Sequence, residues 1–175
     1  MRIKNVFLRT AVVVLLTVTA LSGCTKQRNM DIPEFCKRFN AEQSAQTLTP
    51  EGFFCERADK VREYNCRLQI TQNCTALLSL TTDDTATVTA VQLTCIPNDV
   101  PYTDADFSAL YQTYVTLCSV LTVTTPDEAE ETVRTTGILP ESLAFSAHGF
   151  VGETQKQRYS IFAGEQYLSL FCERI

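Results

Sequence analysis

The stretch from Phe107 to Leu121 restricts what this chain can fold into more than any other part of it. Phe107, Leu110, Tyr111, Tyr114, Leu117, Cys118 and Leu121 recur at steps of three and four residues, which places them on one face of an α-helix. Thr103 and Asp106 stand ahead of it in the spacing of a capping box, so the helix also has a defined start. A stripe of so many large apolar side chains needs a partner surface. It could line a ligand groove, but a core face is the commoner outcome, and the fold must then supply something broad to lie against it.

The partner surface is legible as strands. Tyr64, Cys66, Leu68 and Ile70 alternate with Asn65, Arg67 and Gln69, the pattern of a half-buried strand, and residues 53–58 are its expected hairpin partner. Residues 76–82 and 85–96, rich in Thr and Val, form a second hairpin turning at Asp83-Asp84. In the tail, Leu143, Phe145 and Ala147 alternate, and residues 159–163 and 167–173 make a last hairpin around Gly164-Glu165.

Two further helices complete the reading. Asp31 and Glu34 bracket a helix start, and Ile32, Phe35, Cys36 and Phe39 share one face up to about residue 45. Residues 47–52, with Pro50, break the pattern. Thr125-Pro126-Asp127-Glu128 opens another helix that Gly137 ends. The sequence thus predicts an α+β domain, an antiparallel sheet of about six or seven strands packed against helices. A weak echo suggests a duplicated helix-plus-strands unit: Thr49-Pro50 returns as Thr125-Pro126, and Leu93-Thr94-Cys95 as Leu170-Phe171-Cys172.

Ahead of this domain, Arg2, Lys4 and Arg9 precede an apolar run over residues 11–21, the form of a signal peptide and too short for a comfortable membrane span. The run closes on Leu21-Ser22-Gly23-Cys24, which resembles the lipobox of bacterial lipoproteins. That resemblance implies cleavage before Cys24, lipid (palmitate among it) on Cys24, and an extracytoplasmic protein anchored to the cell membrane. It divides the chain into a signal peptide (1–23), a tether (24–30) and a single α+β domain (31–175) of the 175 residues. Two or more lipid chains anchor stably, and the tether reaches roughly 20–25 Å at full extension. Thr25 stands where an aspartate would mark inner-membrane retention, so in a cell with two membranes the resemblance implies the outer one. The mature part also resembles, in layout, the small α+β lipoproteins of Firmicutes, with a tyrosine-rich helix, a Thr-Pro break and a closing hairpin. That likeness implies no activity.

Without the leader the chain has 12 basic against 20 acidic residues, a net charge of −8. This argues against nucleic acid as a partner and against lying flat on anionic lipid. Of the eight cysteines, seven remain once Cys24 carries lipid. An extracytoplasmic address permits disulfides, and an odd count leaves at least one thiol free or paired between chains. If the first hairpin turns over residues 59–62, Cys55 falls opposite Cys66, and that is the expected bridge. The competing reading, small buried hydrophobes in an anaerobe's reducing surroundings, stands beside it.

Catalytic chemistry finds little support. There is no Cys-x-x-Cys pair or zinc-finger spacing, no nucleophile elbow and no glycine-rich phosphate loop after a strand. The single histidine, His148, falls in the candidate strand on the face opposite Leu143, Phe145 and Ala147. Asp83-Asp84 reads as a solvated hairpin tip rather than half of a calcium site. Asp127, Glu128, Glu130 and Glu131 suit a helix N-terminus without any metal. No catalytic residue, metal ligand or cofactor is assigned. The expected function is a non-catalytic envelope module that binds a protein, peptide or small ligand through an open sheet face or a helix groove. The alternative is a small extracytoplasmic enzyme acting through acids or a free thiol.

Overall fold

A computed structural model describes residues 30–43, 46–58 and 62–175. The leader, Cys24 and the rest of the tether up to residue 29 lie outside the described residues. So do residues 44–45, where the first helix is expected to end, and most of the loop expected over 59–62.

Helix α1 (Ile32–Glu42) begins where Asp31 accepts from the Glu34 N–H at 2.9 Å, and it buries Phe35, Cys36 and Phe39. Met30, assigned to the tether from the sequence, is 1% exposed, and its carbonyl accepts from the Val88 N–H at 2.7 Å. The packed domain therefore includes the last residue of the expected tether.

Seven strands follow: β1 (Phe54–Ala58), β2 (Arg62–Gln69), β3 (Thr75–Thr82), β4 (Val88–Cys95), β5 (His148–Glu153), β6 (Gln157–Gly164) and β7 (Tyr167–Arg174). They form one sheet in the order β1-β2-β3-β4-β7-β6-β5. Every neighbouring pair is antiparallel. Between the two meanders run α2 (Asp104–Thr122) and α3 (Pro126–Thr135). Both helices open with the full capping boxes their sequences imply, Thr103 with Asp106 and Thr125 with Glu128. The α+β class, the antiparallel sheet and the order of elements agree with the sequence reading.

Helix α2 packs on β4 and β7, with α1 and α3 against its flanks. Leu110, Tyr111, Tyr114, Leu117, Cys118 and Leu121 are all fully buried. Buried tyrosines need partners for their hydroxyls. Tyr114 donates to the Phe171 carbonyl at 2.8 Å, tying α2 to β7. The polar residues of the helix satisfy themselves locally: Thr113 donates to the Ala109 carbonyl at 2.9 Å and Thr116 to the Gln112 carbonyl at 3.0 Å. At the far end the Arg174 guanidinium donates to the Leu121 carbonyl at 3.0 Å, so β7 caps the last turn of α2.

The echo in the sequence acquires a geometry. Leu93 of β4 pairs directly with Leu170 of β7, and these are the two leucines that begin the repeated Leu-x-Cys. A local twofold therefore runs between them, and it exchanges Cys95, opposite Leu168, with Cys172, opposite Val91. The halves are not equal: Thr49-Pro50 opens a 3-10 turn ahead of four strands, whereas Thr125-Pro126 opens helix α3 ahead of three.

Three local expectations are corrected. Residues 143–147 are not a strand. Pro140 opens a 3-10 turn, and Phe145 packs against Tyr102 at 5.2 Å and Phe107 at 6.1 Å between ring centroids. The alternation there reflects aromatic packing in a loop, and the strand starts at His148. The second hairpin does not turn at Asp83-Asp84 alone. The Asp83 carboxylate accepts from the N–H groups of Thr85 (2.9 Å) and Thr87 (3.0 Å), Ala86 is left-handed (φ 62°), and pairing resumes only at Val88. Finally, Cys55 does not face Cys66. Ala58 pairs with Arg62 instead of Glu63, and an irregularity between Cys55 and Arg57 sets Cys55 opposite Tyr64.

Leu117 is fully buried beneath the sheet, so Leu117→Ala is expected to cost about 2–5 kcal/mol in urea denaturation. A loss below about 0.5 kcal/mol, the size of a surface effect, would show the stripe to be an accessible groove.

Candidate functional site

With the helices on one side, no element among the described residues covers the other face of the sheet. Strand alternation decides which residues it shows: Leu77 and Ser79 from β3, Gln92 and Thr94 from β4, Ser169 and Phe171 from β7, Phe162 from β6. Around the central seam the face is uncharged. Gln92 Nε2 donates to the Ser169 hydroxyl at 2.8 Å and to the Thr94 hydroxyl at 3.3 Å, and those two hydroxyls lie 3.2 Å apart. Towards β1, Asn65 is fully buried, accepting from the Ser79 hydroxyl and donating to the Glu56 carboxylate at 2.9 Å. Towards β5, Arg158 bridges Glu153 and Glu173 at 2.6 Å each.

Apolar side chains flank this satisfied centre. Leu77 and Ile96, 39% and 66% exposed, border a shallow groove of about 430 Å3 with Arg67, Thr75 and Thr94. On the opposite side Phe162 and Val151 are 48% and 51% exposed. Polar groups already bonded to one another gain little from water, and exposed apolar groups gain by covering. Such a face suits a flat or extended partner better than it suits chemistry. A larger hollow of about 580 Å3 beside α3 is wide open, and its charges serve the helix. There Glu130 pairs with Arg134 at 3.9 Å. Of the acidic cluster, Glu128 accepts from the Thr125 N–H at 2.9 Å as the cap.

The other residues singled out from the sequence are distributed elsewhere. His148 opens β5 opposite Ala163, half-buried, with Nδ1 2.9 Å from both the hydroxyl and the carbonyl of Ser146. The nearby carbonyl favours the proton on Nδ1. Asp83 is held below its usual carboxylate range, chiefly by the Thr85 hydroxyl and then the Thr87 N–H. Asp106 is lowered chiefly by the Thr71 hydroxyl, then by Thr103. Both carboxylates are thus committed to structure. Among the described residues no three His, Cys, Asp or Glu side chains converge as a metal site, and no helix is long and apolar enough to cross a membrane.

The six buried cysteines lie on the helix side. Burial pushes the Cys36 thiol up to about 11 and Cys66 to about 12. Cys118 is raised well above its ordinary value, first by burial and then by Cys172. Cys74 moves the other way, lowered first by the Cys95 thiol and further by the Tyr102 hydroxyl, but it too is fully enclosed.

Sequence reasoning missed Phe162 and Val151 as face residues. Phe162 carried a signal, an aromatic out of phase with Tyr159, Ile161 and Ala163. Val151 carried none, because the strand was placed over 143–147. Comparison of the chain with protein-family models, curated proteins and solved structures finds no match.

The raised thiols make a pH-dependent stability when the protein is kept reduced. The unfolded thiols of Cys36 and Cys66 ionise near 9.0 and the folded ones near 11 and 12. Their contribution is complete below pH 9 and is lost as pH rises towards the folded values. Urea midpoints measured in reductant should fall steadily above about pH 9; midpoints that stay level to pH 10.5 would contradict the burial of these thiols.

Proposed function

We propose that this chain is a lipid-anchored, extracytoplasmic binding module of the cell envelope, held at the membrane through Cys24 and receiving a protein or peptide partner on the open face of its sheet. The observation that carries the binding half is that face. Among the described residues one side of the seven-stranded sheet bears no helix, and Leu77, Ile96, Phe162 and Val151 stand exposed around an uncharged, mutually bonded centre. The anchoring half rests on the lipobox resemblance of Leu21-Ser22-Gly23-Cys24 behind a basic and apolar leader. A short tether suits a module that waits near the membrane for a partner.

The alternative, an enzyme working through acids or a thiol, has less behind it. Cys36, Cys66 and Cys118 are buried and held protonated at neutral pH, whereas thiol nucleophiles need an accessible thiolate. The carboxylates of Asp83, Asp106 and Glu128 are occupied by backbone and hydroxyl donors.

Two experiments test the halves separately. In the full chain expressed in its own cells, a photo-crosslinking side chain at position 162 or 77 should capture a discrete adduct, and one at exposed Glu131 on α3 should not. Adducts from position 131 with none from the sheet face would sink the binding reading. Cys24→Ala should release the protein from the membrane fraction and change the mass of the mature form. Retention at unchanged mass would remove the anchor.

A further inference from the structure

The six cysteines buried on the helix side fall into three couples. Cys118 of α2 is within thiol hydrogen-bond reach of Cys172 of β7, and Cys74, just before β3, of Cys95 at the end of β4; cysteines of the described residues stand near disulfide distance and are not bonded. The remaining buried two, Cys36 of α1 and Cys66 of β2, share the same core, and Cys36 adds to the rise that burial gives the Cys66 thiol. All six are at most 5% exposed. Packing alone does not explain pairing, because an isolated thiol fills a core site as well as a coupled one does. Each couple also joins two different elements, as a cross-link would: α1 to β2, α2 to β7, and β3 to β4.

We propose that Cys36–Cys66, Cys74–Cys95 and Cys118–Cys172 close as three disulfides when the chain folds with an external disulfide available as oxidant. The inference rests on the extracytoplasmic reading for the supply of that oxidant, but the pairing itself rests on the fold. It also gives Cys66 a partner across the layers, in place of Cys55 on the neighbouring strand. For each couple, one thiol loses its proton and attacks the external disulfide, releasing one thiolate. The second protein thiol, deprotonated in turn, then attacks the mixed disulfide and releases the other. Two protein thiols become one S–S bond, and the external disulfide leaves as two thiols, so protons and electrons balance. Burial denies the oxidant access to the finished core, so the exchange belongs to folding. All three bonds lie on the helix side and leave the open face untouched.

The test uses the full chain purified in detergent from its own cells, trapped with acid and alkylated under denaturing conditions before any reduction. Digestion without reductant should give three linked peptide pairs, and the intact mass should sit about 2 Da lower per bond, about 6 Da in all, than the reduced protein. A second sample is reduced, unfolded and refolded with glutathione disulfide as the added oxidant. The same three pairs in both samples support the inference. The three pairs in the refolded sample alone support the pairing and count against the oxidising address. Other pairings in the refolded sample, Cys55–Cys66 among them, or a thiol that survives refolding at any of the six paired positions, overturn it. The map reads the unmodified sequence, so it does not depend on a cysteine variant folding. As a control, a C118A/C172A double variant should lose one linked pair and keep the other two.

Discussion

The contact of α2 with the two central strands holds the remaining parts of the structure in place. β4 ends one meander and β7 ends the other, and α2 lies against both, so the halves are joined by side-chain packing as well as by the ladder between Leu93 and Leu170. Burying one large apolar side chain contributes about 1.5–3 kcal/mol, and net stabilities are only about 5–15 kcal/mol. Leu110, Tyr114, Leu117 and Leu121 therefore dominate among local effects. Tyr114 and Arg174 add direction: one bonds the helix to the Phe171 carbonyl, the other bonds β7 to the Leu121 carbonyl. With both in place, α2 has little freedom to slide along the seam.

The same arrangement decides what stays exposed. Three helices occupy one side of the sheet, and nothing in the described chain covers the other. The uncovered side is not simply polar. Ser79, Ser160 and Ser169 are nearly buried there, and Phe171 lies opposite Ser160 and Phe162 opposite Ser169, so large and small side chains alternate across the strands. The result is a smooth, largely neutral surface with apolar margins, while the charged side chains of Arg158, Glu153 and Glu173 gather at one end. The chain's excess of acid is spread over helix starts and turns, away from this centre.

The helix side is chemically quiet for a different reason. Burial holds the thiols of Cys36, Cys66 and Cys118 protonated, which removes them as nucleophiles and leaves them packed as apolar groups. The packing that silences them also sets them two by two between layers. Closed as the proposed disulfides, these couples would link α1 and α2 to the sheet and make the domain resist opening.

The sequence by itself determined the α+β class, the order of elements and the helix starts, because these depend on local patterns. Alternation and helical spacing act within a few residues, and Thr103 with Asp106 or Thr125 with Glu128 needs no distant partner to cap a helix. The strand wrongly placed over 143–147 shows the limit: Phe145 alternates as a strand residue would, but its place is set by Tyr102 and Phe107, far back in the chain. Cys55 shows it again, since an irregularity in β1 leaves no mark in the pattern of side chains and still moves the residue off its expected partner. Which cysteines meet, which face of the sheet stays bare, and that the repeated leucines sit on a local twofold were decided only by the tertiary structure. Each depends on strand register and on the side from which α2 approaches, and these are settled by contacts between residues far apart in sequence.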